Sequence, residues 1–126
     1  MGVLTPNVPR RKGGSFTLMF RDPANGDTFV LPAGSIIQDV IAERINRVTG
    51  LVAAGGDAGD VINITGVTTI AADFTSTASK RATMTAGAGL AGAADTSFTF
   101  AKTDADSDTG FNVYVICQKY RMGPLT

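Results

Sequence analysis

Asp104, Asp106 and Asp108 place three carboxylates at alternate positions, the densest group of chemically capable side chains in this sequence. Hard cations such as Ca2+ favour that oxygen density. In an EF-hand loop, however, Gly follows the third Asp directly and a Glu closes the loop. Neither holds here, so the run reads as an acidic surface turn, with cation binding as the alternative. Gly87, Gly89 and Gly92 match the dinucleotide fingerprint G-x-G-x-x-G. That chemistry needs a strand before it and a helix after it, whose N-terminus receives the pyrophosphate. The continuation AADTSFTF reads as loop and strand, so no cofactor is expected. The chain has no His, which excludes Ser-His-Asp and Cys-His arrangements. Its one cysteine, Cys117, lies inside a strong strand pattern and reads as a small core residue. A carboxylate pair for glycoside hydrolysis remains formally available, but the neighbours of Glu43, the only Glu, look like ion-pair partners. Arg10, Arg11 and Lys12 suit an acidic surface or phosphate. Without interleaved aromatics they do not make a nucleic-acid site. No catalytic, cofactor-binding or metal-ligating residue is assigned, and the protein is expected not to be an enzyme. The candidate interaction residues are Arg10, Arg11 and Lys12.

The elements that must hold these residues follow from composition and period. Ala, Gly and Thr supply 48 of 126 residues, so apolar segments alternate with runs of small residues. At this length a single domain is expected, with a core burying roughly two-thirds of the unfolded surface. Lys plus Arg equals Asp plus Glu, 11 each, giving no general drive toward nucleic acid or acidic membranes. Charge is nonetheless segregated. Arg10, Arg11, Lys12 and Arg21 lie near the start without an acid, and Asp95, Asp104, Asp106 and Asp108 near the end face one Lys102. One cysteine gives neither a disulfide framework nor a Cys-based zinc site. No signal-peptide core and no apolar run of about 18 residues is present, so a soluble protein made in the cytoplasm is expected.

Residues 1–14 hold two prolines and no periodic pattern, which reads as an extended N-terminal arm, with residues 15–126 as one β domain. Phe16, Leu18 and Phe20 alternate as in a strand, and a turn-rich stretch leads to a second strand at 28–31, suggesting a hairpin. Residues 36–48 carry two signals. Ile36, Ile37, Val40, Ile41, Ile45 and Val48 fit a helical stripe. Ser35 with Gln38 resembles a capping box, and Glu43 and Arg47 sit four apart. Against that, Ile37, Ile41 and Ile45 share one face of a strand and β-branched residues fill the segment. Further strands are expected at 61–64, 68–75, 80–85, 97–100 and 111–120. Many short strands with turns between them imply an antiparallel sandwich or barrel.

The segments LPAGSIIQDVIAERI, GDVINITG, TMTAGAGLAGAAD and GFNVYVICQKY occur in this order over residues 28–120. In order and composition they resemble small virion proteins of tailed bacteriophages that decorate the head. The resemblance implies an all-β sandwich or jelly-roll-like module, often trimeric, and it favours a strand at 36–48 over a short helix. It implies a structural protein of the virion surface that bridges major capsid protein subunits as a homotrimer. The charge balance and the lack of a long apolar run lead to the expectation of no membrane partner and no specific nucleic-acid partner. A head–tail joining or tail protein of the same virion, and a carbohydrate-binding sandwich, are the alternatives.

Overall fold

The computed structural model describes residues 2–5, 14–57, 59–70, 74–103 and 107–119, and among them there is no helix. Eleven strands follow in chain order: β1 (Val3–Leu4), β2 (Ser15–Arg21), β3 (Thr28–Leu31), β4 (Ser35–Asn46), β5 (Leu51–Val52), β6 (Val61–Ile64), β7 (Thr68–Thr69), β8 (Ser79–Arg81), β9 (Thr83–Met84), β10 (Thr96–Thr103) and β11 (Thr109–Lys119). One sheet has the order β1-β3-β10-β6. The other runs β2-β11-β4-β5, with β8 pairing along β4 beside β5. A ribbon of β7 and β9 completes the set. All pairings are antiparallel except that of β1 with β3. The expected all-β sandwich is thus the observed fold.

The two sheets meet through their alternating apolar faces. Phe29, Leu31, Phe98, Phe100, Ile62 and Ile64 from one sheet face Leu18, Phe20, Phe111, Val113 and Val115 from the other, all buried. Phe20 crosses the gap, with ring centroids 4.7 Å from Phe29 and 5.3 Å from Phe100. Phe29 also stacks on Phe98 at 5.5 Å. Such pairs add about 0.5–1.5 kcal/mol each beyond the area they bury. In a chain this rich in Ala and Gly, phenylalanines are the largest fully buried side chains of the core.

One local expectation is corrected and one ambiguity is resolved. β2 and β3 do not form a hairpin: β2 pairs with β11, whereas β3 pairs with β1 and β10. The turn between them carries the chain from one sheet to the other, so inward Phe20 packs against inward Phe29 instead of beside it in a ladder. At 36–48 the strand favoured by the resemblance is observed in place of the helix that local spacing offered: residues 36–46 lie in the twelve-residue β4, held by β11 along its length, and residues 47–48 are in the turn that follows. The register shifts where Ile116 faces Asp39 and Cys117 faces Ile37, so Gln38 is the extra residue of a β-bulge. Inward positions then fall at Ser35, Ile37, Val40, Ala42 and Arg44. The three-residue step from 37 to 40 imitates helical spacing. It also moves Ile41 and Ile45 to the face opposite Ile37. Glu43 and Arg47 do not pair. Arg47 instead grips Asp22.

Of the strand expected at 68–75, β7 forms Thr68–Thr69 and residues 71–73 lie outside the described residues, and that at 80–85 is split into β8 and β9 around buried Ala82. Within the 1–14 segment, β1 joins β3. The Gly2 N–H donates to Asp27 Oδ1 at 2.7 Å and the Ala24 N–H to Asp27 Oδ2 at 2.8 Å, pinning that start to the β2–β3 turn.

Candidate interaction surface

Arg10, Arg11 and Lys12 lie outside the described residues, as do Asp104 and Asp106. Asp108 is exposed in the turn before β11, where its carbonyl accepts the Arg47 N–H at 2.7 Å. Among the described residues no cluster of three or more His, Cys, Asp or Glu is placed to hold a metal ion.

The glycine motif is a staple. The Gly34 N–H donates to Ala91 O and Gly92 O, the Ile37 N–H to Gly89 O, and the Ala91 N–H to Ser35 O. These bonds tie the 87–92 loop to the turn that opens β4. Gly89 has φ +82°, and a Cβ there would sit 3.0 Å from Ile37 Cβ, so glycine is required by both backbone and space. No helix follows to receive a phosphate. Cys117 is fully buried on the inner face of β11, and desolvation pushes its thiol up to about 12. Such a thiol is almost never a thiolate at neutral pH, so it is inert as a nucleophile.

The polar side chains that sequence reasoning missed hold loops. Arg44, 3% exposed, reaches Thr109 Oγ1 from Nε (3.3 Å) and Nη2 (3.0 Å), and donates from Nη1 to Ala53 O and Ala54 O. It anchors the small-residue loop after β5 to the start of β11. Gly56 is needed beneath it, since a Cβ would lie 2.7 Å from Thr109 Oγ1. The available signal was an arginine in phase with Val40 and Ala42 once the bulge is known. At the sandwich end, Asp22 adopts φ 45° and receives Arg47 at 2.8 and 2.9 Å. Burial pushes the Asp22 carboxyl up. The Arg47 hydrogen bonds and charge, with the Phe111 N–H, outweigh it and hold the group below the usual Asp value. On the outer face, Glu43 Oε1 accepts from Tyr114 Oη at 2.8 Å and Asn112 Nδ2 at 3.3 Å. The Glu43 bond is the main cause that raises the Tyr114 pKa.

Among the described residues, the lateral edges of the β2-β11-β4-β5 sheet offer surface for contact with other molecules. Lys119 N–H donates to Gly14 O at 3.1 Å, and Ser15 faces Gln118 in the register. Gly14 and the alternate residues 16, 18 and 20 therefore point their backbone groups at β11. Ser15, Thr17, Met19 and Arg21 point theirs away, and among the described residues nothing pairs with that side. A groove of about 590 Å³ runs along it, with Leu4 and Thr5 on one wall and residues 17–21 on the other. Met19 is 40% exposed there. At the opposite edge the β4–β5 turn projects Val48 (73% exposed), Leu51 (66%) and Val52 (49%).

No protein-family model, curated protein or solved structure matches this chain.

Proposed function

We propose that this protein decorates the head of a tailed bacteriophage, bridging major capsid protein subunits from outside as a homotrimer. One observation carries the reading. Its polar side chains at Asp22, Asp27, Glu43 and Arg44 are engaged in structural bonds, while among the described residues the outer side of β2 is unpaired and the β4–β5 turn exposes apolar side chains. A sandwich of this kind acts by adhesion. Each copy spans neighbouring subunits, and binding to the folded shell stabilises that shell by mass action. Repetition over many sites adds effective concentration. Open strand edges suit recognition by strand addition. No reacting residue, cofactor or nucleic acid enters the mechanism. The protein then resides on the virion surface after synthesis in the host cytoplasm. The order of segments around LPAG is the second support.

The test adds purified protein to undecorated heads, washes them, and counts the copies retained per particle. Many copies spread over the shell are expected, with heads that withstand higher temperature. A single ring of copies at one vertex would indicate a head–tail joining protein. No retention on heads, with binding on a glycan array instead, would indicate a carbohydrate-binding module.

A further inference from the structure

We propose that copies of this chain associate head to tail: the β4–β5 tip of one copy packs Val48, Leu51 and Val52 into the β1–β2 groove of the next. The contact does not rest on the decoration reading. Tip and groove lie at opposite edges of one sheet, separated by β11 and β4. That places them about three strand spacings, roughly 14 Å, apart, so one chain cannot join its own. Of seven exposed large hydrophobic residues among the described residues, four belong to these two edges, namely Met19, Val48, Leu51 and Val52. Apolar surface gathered in this way marks an interaction site.

The occupant is a second copy because the two edges are complementary. The groove exposes Met19 and part of Leu4, and the tip offers three aliphatic side chains. Charge matches as well. Arg21, exposed at the groove, makes no ion pair among the described residues. Asp57, exposed in the loop that follows the tip, makes none either. A head-to-tail contact sets Arg21 of one copy toward Asp57 of the next. A two-fold pairing of β2 with β2 would instead set groove against groove and leave every tip in water. The head-to-tail contact is heterologous, and such contacts close into rings when the rotation permits. A ring of three is the homotrimer proposed above.

The test is a mixing experiment on the full chain, read by light scattering after size-exclusion chromatography. Leu51→Asp disables the tip and Met19→Asp the groove, both at exposed positions. Circular dichroism melting checks that each variant stays folded, with Val52→Lys as a second tip variant. Wild type should be oligomeric at high micromolar concentration, and each variant alone monomeric, with self-association weakened at least tenfold. Mixed in equal amounts, the two variants should form one-to-one heterodimers, because one retains a groove and the other a tip. Arg21→Asp and Asp57→Arg should each weaken association, and together restore it. A monomeric wild type, a mass unchanged by either edge substitution, or variants that stay monomeric when mixed would overturn the proposal. The last result would point to a groove-to-groove dimer or to a different partner.

Discussion

Asp22 combines a left-handed backbone with a two-bond grip on Arg47, so strain and charge meet in one residue. The two are separable. Asn, like Asp, enters that backbone region more readily than other side chains, so Asp22→Asn removes the charge and leaves the turn. The Asp22 carboxyl is held below its ordinary value. A depressed carboxyl contributes stability that is present above the unfolded pKa, near 4, and is lost as pH falls through the folded value. The pair is about a third exposed, so its contribution is about 1 kcal/mol at most. Asp22→Asn should therefore lower the melting temperature at pH 7 by a few degrees, and the gap to wild type should narrow as pH falls below the unfolded pKa, near 4. An equal gap across that pH range in thermal melts would mean that geometry, not charge, is what Asp22 supplies. Partners of this kind were hidden in the sequence. Glu43 and Arg47 suggested each other by spacing, but a strand sends them elsewhere, and Asp22 is 25 residues from Arg47. The inert Cys117, by contrast, was legible, because its place in a regular alternation needs no knowledge of the rest of the fold.

At the scale of the element, β4 shows where local reading stops. Strands with unbroken period two, such as β2, β10 and β11, could be read directly from Phe16–Phe20, Phe98–Phe100 and Phe111–Cys117. β4 could not, because one extra residue at Gln38 changes the phase and makes the inward set look helical. The bulge is specified by pairing with β11, 80 residues away at Gln118, and no local propensity carries that information. The same limit hid the open edges, since which strand ends a sheet depends on all the others. The bulge makes an uncommon deletion tolerable. Removing Gln38 leaves Ile37 facing Cys117 and Asp39 facing Ile116, with the inward phase intact on both sides. Removing Ala42 instead shifts one side of β4 by a residue and turns its buried face outward. The Gln38 deletion should thus melt within a few degrees of wild type, whereas the Ala42 deletion should fail to give a cooperative transition. Comparable melting for both would show that the bulge position does not govern the register.

For the whole molecule, the pairing list also sets an order in time. β11 is the middle of its sheet: β2 and β4, the other two long strands there, each find in it their long partner and do not touch one another. The residues being joined are 91–103 apart for β2 and 63–84 apart for β4. During synthesis neither strand can be satisfied until residues 109–119 have left the ribosome. Until then β2 and β4 present unpaired edges and apolar faces, the condition under which nascent chains aggregate or recruit chaperones. Refolding from denaturant should accordingly take milliseconds to seconds, in the slow range of all-β topologies, with the two sheets gaining hydrogen-exchange protection together. Microsecond refolding, or a protected β2-to-β4 region in a chain stopped before residue 109, would contradict this. A protein of this design has no half-built form: it is released from synthesis whole and ready to bind, or it is left for the cell to discard.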